Sequence, residues 1–532
     1  MLSKRFPGAK RLNIKKEETN MKKLLSLAIA LCLLLGVGAT ALADEIPTFT
    51  VACNRWTEVW GTDFTETAFL KEIGEAVGVN IEWQPYWNGS WGDQKSLMLA
   101  SGLSAMPDAF FGSISLTDAD IVPNLDYFVE LTDLIPQYMP NLTAIFEKDP
   151  SMKAMCSDAD GKIWSLPKKL PMRPITANEM YINKVWLEEL NLPMPTTYTE
   201  LADTLVAFSK SGEGRYGFIA ASSLAFDLNN LLLPFGVQAS RAGNFMGINA
   251  EGQPYFVPMA DNYKEAVKWA RELYVNGALD PEYFTQTSDM VRAKVQDTEA
   301  GPRTGIVFAW TADSELLGNA KDYVVVEAVA GPDGNRYVES DPTFLNYGKN
   351  ELVITKNCKD PGKLLAWADQ FYTDEASLQT YYGSIGDGKI AKNEDGTYEV
   401  LLPAADSGIN LDTSCWTFSF RDHGPKYMNE EFESKVILPT TEGDGIKLAD
   451  DAVNAKYARP TFPVVAYTAD ELDQLAFLSP DITSYCNQQY AHWVTEGGVD
   501  EEWDAYIAKL NQMKVEEMIQ IHLDAYARYQ GE

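Results

Sequence analysis

Asp160-Gly161-Lys162-Ile163-Trp164-Ser165-Leu166-Pro167, Asn178-Glu179-Met180-Tyr181-Ile182-Asn183, Leu187-Glu188-Glu189-Leu190-Asn191-Leu192-Pro193 and Pro195-Thr196-Thr197-Tyr198-Thr199-Glu200-Leu201 follow one another within residues 158–208. The first piece reads as a turn, because Asp bonds nearby backbone amides and Gly accepts positive φ. A short strand, Ile163 to Leu166, then runs into Pro167. Thr197 and Glu200 have the Thr-x-x-Glu spacing of a capping box, in which the hydroxyl takes an amide and the carboxylate reaches back. Leu201, Leu205 and Phe208 follow at helical spacing. Any α/β protein could own these pieces separately, so the specificity lies in their order and spacing.

Upstream, Ile46 to Cys53 alternates as a strand, Asp63 to Val77 reads as a helix and Asn80 to Trp83 as the next strand. Gln94 to Ala100 is helical, and Pro107 to Phe111 is a third strand ending at Gly112-Ser113. This βαβαβ order predicts a parallel sheet with right-handed crossovers. Ligands of such sheets lie beyond the carboxyl ends of the strands, here Asn54-Arg55-Trp56, Tyr86-Trp87-Asn88 and Gly112-Ser113. Downstream, Tyr263 to Asn276 is a helix stopped by Gly277, and Ile306 to Trp310 and Glu351 to Thr355 are strands. Asp360 caps a helix with Pro361 at its first position. Glu501 to Met513 and Lys514 to Tyr529 are the closing helices.

The succession in 158–208 closely resembles the family 1 extracellular solute-binding proteins, the carbohydrate receptors of bacterial ABC importers. Ala100-Ser101-Gly102 leading to Pro107-Asp108 resembles that family's early loop. Leu273-Tyr274-Val275-Asn276-Gly277 with Asp280-Pro281-Glu282, and Ile354-Thr355-Lys356 with Lys359-Asp360-Pro361, resemble two later segments. Trp503, Tyr506 and Ala525-Tyr526-Ala527-Arg528-Tyr529 match the closing pattern of the subgroup associated with oligosaccharide uptake. The resemblance implies a two-lobed periplasmic-binding-protein-like α/β fold, each lobe a mainly parallel sheet flanked by helices. Lobe 1 is expected at 44–172 with about 308–372, and lobe 2 at 173–307 with about 373–532. Crossings near 170–178, 305–312 and 370–415 would form the hinge. The implied partners are an oligosaccharide and the permease pair of an importer, and the implied state is a monomer.

Relatives that bind uronic-acid polymers carry an acidic calcium loop after the capping-box helix. Here that place is Ser209-Lys210-Ser211-Gly212-Glu213-Gly214-Arg215, with one carboxylate and two cations. A hard cation needs several oxygen ligands, so no calcium is expected there, and no other cofactor is expected.

Lys22-Lys23, the apolar run Leu24 to Val37 and Ala41-Leu42-Ala43 make a signal peptide, with cleavage expected after Ala43. The run is too short for a membrane anchor. Residues 1–20 precede the basic region that normally begins such a signal, so Met21 is the expected true start. Cys32 lies inside apolar chain and makes a poor lipobox, which leaves open how the exported protein stays near the cell surface.

The whole chain has 532 residues, with 44 Lys and Arg against 76 Asp and Glu. Removing residues 1–43, which hold eight of the bases and two of the acids, leaves 489 residues with net charge −38. Such a field repels nucleic acid and anionic membranes but says little about a neutral ligand. The mature length exceeds one ordinary core. Cys53, Cys156, Cys358, Cys415 and Cys486 are scattered, without a C-x-x-C pair, which argues against a disulfide scaffold or a zinc site.

No His-Glu-x-x-His, Gly-x-Ser-x-Gly or phosphate loop is present. Of the three His, His492 and His522 sit on predicted helices as structural residues. The chain has 13 Trp and 25 Tyr. A sugar offers an apolar C–H face and a hydroxyl rim, so it wants an aromatic plate edged by Asn, Asp, Glu or Arg. Trp56 and Trp60 near Asn54 and Arg55, Trp310 near Asp313, and Trp416 near Arg421 fit this pattern. Ser113 lies at a strand exit. Arg173, Asn178 and Glu179 lie where similar proteins first cross between lobes. Trp83, Trp186, Trp269 and Trp367 read as core. No catalytic residue is assigned. Three rivals stay open: a secreted glycoside hydrolase or lyase with a carboxylate pair, a receptor for peptides or another solute, and a surface adhesin.

Overall fold

Two sheets organise the chain, and the sequence explains most of their strands. The first contains β1 (Thr48–Arg55), β2 (Asn80–Trp87), β3 (Ala109–Phe111) and β4 (Leu166–Lys169), and the second contains β5 (Glu179–Asn183), β6 (Tyr216–Phe218), β7 (Thr304–Ala309) and β8 (Tyr323–Val325). The chain returns to the first sheet with β9 (Tyr347–Ile354) and β10 (Lys426–Tyr427). This computed structural model describes residues 46–158, 160–240, 244–340 and 346–530. The leader, the signal segment and Cys32 lie outside the described residues. Phe49–Glu532 form one compact unit, which carries these two sheets and two smaller ones.

The first sheet has the order β10-β4-β9-β3-β1-β2, and the second β8-β5-β7-β6. In the first, β1 and β3 run parallel with Cys53 opposite Phe111, but β9 is antiparallel to both β3 and β4. In the second, β5 is antiparallel to β7 and to β8, and only β6 and β7 are parallel. Two α/β lobes therefore stand as expected, but the sheets are mixed rather than mainly parallel. In the first sheet the antiparallel strand, β9, returns from the opposite lobe and not through a crossover helix on the same sheet. The second crossing also moves. Because β7 and β8 both pair with β5, the chain leaves the second sheet after Val325 and joins the first at Tyr347, not at 305–312.

Local chemistry accounts for several boundaries. Asp158 Oδ1 accepts from the amides of Asp160 and Lys162, both at 2.9 Å, and Gly161 has φ 79. Ile163 makes only an isolated bridge, to Ser157, and the strand proper begins at Leu166. Pro167 thus lies inside β4 and does not end it. The pairing of β4 with β9 is irregular between Gly348 and Leu352, opposite Pro167, which is where a strand tolerates a residue without a donor.

Helix α1 (Tyr198–Lys210) starts with the Thr197 hydroxyl accepting the Glu200 amide at 3.2 Å. The Glu200 carboxylate closes on the Thr196 amide and hydroxyl, 2.8 and 2.7 Å, one residue earlier than a capping box requires. Asp360 caps its helix by accepting the Lys363 amide at 2.9 Å, as read from the sequence.

The first lobe packs Val51, Phe111, Leu352, Trp367 and Phe371 into one core, and the second packs Leu205, Phe208, Trp269, Tyr490 and Trp493 into another. The second core is closed by α2 (Asp261–Val275), α3 (Ala469–Thr495), α4 (Val499–Gln512) and α5 (Val515–Gln530). Helix α3 is 27 residues long, has Pro480 inside it and carries His492, which the sequence reading places on a helix. All five described cysteines are free and buried.

Asp227 lies wholly inside the second core and accepts from the hydroxyls of Tyr283 and Tyr490, 2.6 and 2.7 Å, and of Ser222. Burial pushes its carboxyl up to about 6, against the lowering effect of those three hydroxyls. The folded chain therefore keeps a proton that the unfolded chain has already released near pH 5. Folding loses this contribution as pH rises from about 4 through 6. Wild type is expected to lose roughly 3 kcal/mol relative to Asp227→Asn across that window. Urea melts of both proteins at four pH values would check it, and a flat difference contradicts it.

Candidate functional site

The exits of β1, β3 and β7 converge with the segment 411–454 into one polar and aromatic belt. The segment supplies α6 (Leu411–Phe418), the turn 419–424 and α7 (Asp444–Asn454). Three groups of side chains make up the belt.

The first group is aromatic. Trp60 stacks on Trp416 with ring centroids 4.4 Å apart and planes 12° from parallel. His423 stands 5.7 Å from Trp416 and 6.1 Å from Trp56. Trp416 is buried and Trp56 is 47 % exposed, so Trp416 backs Trp60, and the surfaces open to a ligand are Trp56 and the outer face of Trp60. Arg55 is buried beneath them. Its guanidinium donates to the Ser419 carbonyl at 3.1 Å and to the Trp416 carbonyl, and it lies 4.1 Å above the Phe64 ring. Burial lowers its pKa to about 10, still fully charged at neutral pH. Asn54 donates to Asn88 Oδ1 and to the Ile114 carbonyl.

The second group is ionic. Arg421 makes a two-pronged pair with Asp444, 3.0 and 2.8 Å, and reaches Asp412 at 3.6 Å. Both partners of the pair are almost wholly buried. Burial alone would raise the Asp444 carboxyl, but Arg421 outweighs it and holds the group below the usual carboxylate range. Arg421 adopts φ 49, a left-handed conformation that its fixed side chain maintains. Asp444 also accepts the Trp310 indole N–H at 3.3 Å and the Tyr382 hydroxyl at 2.7 Å. Arg173 bonds the Tyr381 hydroxyl at 2.5 Å, lies 3.7 Å from Asp422 and stacks 4.6 Å from the Trp310 ring. Lys447 approaches Trp310 at 5.2 Å, so this indole is held between cations.

The third group anchors the belt to each sheet. On the second sheet Glu179 accepts from Lys447 at 3.0 Å and from Asn454 at 2.7 Å, and Thr176 bonds both Glu179 and Asp451. On the first sheet Glu351 accepts the amides of Ser113 and Gly424, 3.1 and 2.7 Å, and pairs with Lys168 at 2.7 Å. Gly424 has φ 84, and a Cβ there would meet the Phe111 ring at 2.2 Å, so only glycine permits this turn.

The twelve sequence candidates thus sort unevenly. Arg55, Trp56, Trp60 and Trp416 come together, as do Arg173, Trp310 and Arg421. Asp313 lies three residues past Trp310 with its Oδ2 buried and without a hydrogen-bond partner. Ser113 and Glu179 act as anchors. Asn178 faces the second lobe instead, donating to Asn230 at 3.3 Å beside a cavity of about 40 Å³, room for about one water. The sequence reading misses Asp444, Lys447 and Asp451, Tyr381 and Tyr382, and Glu351. Asp444, Lys447 and Asp451 fall at i, i+3 and i+7, one face of a helix, but a charged helix face ordinarily faces solvent, so the spacing alone carries no signal of its burial.

Several buried polar atoms of the belt have no hydrogen-bond partner: Asn54 Oδ1, Arg55 Nε, both ring nitrogens of His423, Asp422 Oδ1, Thr311 Oγ1 and Asp313 Oδ2. Burial, reinforced by Lys168, Arg55 and Lys426, drives the His423 pKa well below its usual value. The imidazole is therefore neutral at pH 7, with one nitrogen to donate and one to accept.

Among the described residues no cluster of His, Cys, Asp and Glu could hold a metal ion. In the segment 209–215 the Arg215 guanidinium pairs with Glu189 at 2.9 Å, bonds Ser211 and lies 4.6 Å from the Trp186 ring. A side-chain cation thus occupies that loop. Excess EDTA is expected to leave the melting temperature within a degree of its starting value, and a calcium-dependent rise in a melting scan would contradict this. No helix among the described residues is long and apolar enough to cross a membrane.

A fold of two mixed lobes with a belt of aromatic and polar groups between their sheets defines a binding protein. Residues 61–377, more than half of the chain, match the family described as bacterial extracellular solute-binding protein, and the chain belongs to that family. Among curated relatives it is 28 % identical, over 88 % of each chain, to the fructooligosaccharide ABC transporter substrate-binding protein FusA of Streptococcus pneumoniae serotype 4. It is 26 % identical to the polygalacturonan/rhamnogalacturonan-binding protein YtcQ of Bacillus subtilis, over 51 % of this chain and 53 % of that one. Among solved structures, FusA in complex with kestose superposes with a TM-score of 0.78 at 24 % identity, covering 91 % of this chain and 99 % of that one. A solute-binding protein from Bifidobacterium longum infantis described as binding HMO superposes with a TM-score of 0.77 at 20 % identity, with the same coverage.

Proposed function

We propose that this protein captures an oligosaccharide in the belt between its lobes and delivers it unchanged to the permease of an ABC importer. The observation that carries the reading is the pairing of open indole surfaces with unpartnered buried polar atoms. Trp56 and the outer face of Trp60 offer plates for the C–H face of a sugar ring, and Asn54, His423 and Asp422 offer a rim for its hydroxyls. Carbohydrate recognition also agrees with relatives named for fructooligosaccharide and for polygalacturonan/rhamnogalacturonan.

The lobes meet through the connectors 170–178, 326–340 and 428–468, and closure about these connectors traps the ligand. A ligand that touches both lobes shifts the open–closed equilibrium by its extra affinity for the closed form. The mature receptor begins at Asp44, is exported and acts as a monomer. Three of the belt's carboxylates are held in ion pairs, Asp444 by Arg421, Glu179 by Lys447 and Glu351 by Lys168, and no step of chemistry on the sugar is assigned.

The test is a thermal-shift panel on the protein starting at Asp44, setting fructooligosaccharides, pectic and milk oligosaccharides against peptides. A sugar that raises the melting temperature by several degrees and is recovered intact supports the receptor. Stabilisation by peptides alone, or shortened sugar products, rejects it.

A further inference from the structure

Away from the belt, a cavity of about 340 Å³ opens between two connectors. Gly334 to Arg336 line one side and Lys456 to Arg459 the other. The connectors are joined here by a parallel bridge between Val338 and Ala458. Three cations and no acidic side chain line the cavity. That is unusual in a chain with 76 acids and 44 bases, whose surface is expected to be dominated by carboxylates.

Each cation is held by an aromatic ring. Arg336 and Lys456 flank the Tyr457 ring at 5.7 and 4.9 Å, and Arg459 lies 4.3 Å from the Tyr337 ring. Two carboxylates flank the cavity without lining it. Glu327 pairs with Lys456 at 2.8 Å, with Arg336 at 3.9 Å and with the Tyr457 hydroxyl at 2.7 Å. Asp333 accepts from the Tyr337 hydroxyl and from the Asn335 side chain and amide. Among the described residues Arg459 has no carboxylate partner, so positive charge is left over at the mouth. Guanidinium forks with a neighbouring ammonium suit a doubly charged oxyanion better than a single carboxylate.

We propose that this cavity is a binding site for a phosphate group, free or esterified to a small polyol. The volume exceeds that of the bare ion and leaves room for the carrier. The site shares no residue with the carbohydrate belt and is tested without any sugar present.

The experiment is a thermal-shift and calorimetric titration of the protein starting at Asp44 with inorganic phosphate and with glycerol 3-phosphate. Acetate and chloride at matched ionic strength serve as controls. A saturable stabilisation by either phosphate, absent with acetate and chloride, is expected, and a tenfold preference for the ester or the free ion identifies the source. The double variant Arg336→Gln/Arg459→Gln, its fold checked by circular dichroism, is expected to lose at least tenfold in phosphate affinity. Glu327→Gln removes the competing carboxylate at a half-exposed position and is expected to tighten phosphate severalfold. Only a nonspecific salt effect in wild type, an unchanged affinity in the double variant, or unchanged or weakened binding in Glu327→Gln would overturn the proposal.

Discussion

Asp444→Ala is expected to lower the unfolding free energy by about 3–5 kcal/mol, the usual cost of removing one partner from a buried ion pair. The magnitude follows from what stays behind. Arg421 is 4 % exposed and would keep only the more distant Asp412, 3.6 Å away. Trp310 and Tyr382 would lose their acceptor as well. Replacing both partners together, Arg421→Met with Asp444→Leu, is expected to cost less than the single change, because no charge is then stranded. Urea unfolding of the three proteins checks both statements. An Asp444→Ala protein within 1 kcal/mol of wild type would mean that water reaches Arg421, and that the belt is far wetter than its burial indicates.

Trp60→Ala is expected to weaken oligosaccharide binding tenfold to a hundredfold while shifting stability by less than about 1 kcal/mol. One stacked plate supplies roughly 1.5–3 kcal/mol of contact. Trp60 sits on a three-residue turn of helix, Glu58–Trp60, in which no residue is buried, so its removal costs the fold little. Trp416→Ala is the informative companion. Its indole supports Trp60 from below, and the Trp416 carbonyl holds Arg55. It is therefore expected to weaken binding and to lower the melting temperature together. Calorimetric titration of both variants separates the two roles, and full affinity in both would move the sugar away from the aromatic group.

Elements of both lobes were legible where their signals are local. Thr197, Asp360 and the Asp158–Gly161 turn each fix a boundary through side-chain bonds to amides a few residues away. Strand sense was not legible. The antiparallel placement of β9 between β3 and β4 depends on a return from the other lobe, and no local pattern encodes that return. Pro167 misled for a related reason, since the bulge that tolerates it belongs to β9.

The site divided along the same line. Residues at strand exits, Arg55, Trp56, Trp60 and Trp310, were found because exits face ligands in this class of sheet. Asp444, Lys447 and Asp451 were missed because a helix face carrying charges ordinarily faces solvent, whereas here it faces Arg421, Glu179 and Thr176. Buried charge of this kind is recognisable only once its partners are placed.

The most direct test of the receptor reading is a calorimetric titration of the sugar that stabilises the protein best, followed by chromatography of the sugar released from the complex. One sugar bound per chain, recovered at its original length, is the predicted result. Absence of binding by every carbohydrate offered, or recovery of shorter fragments, would contradict it.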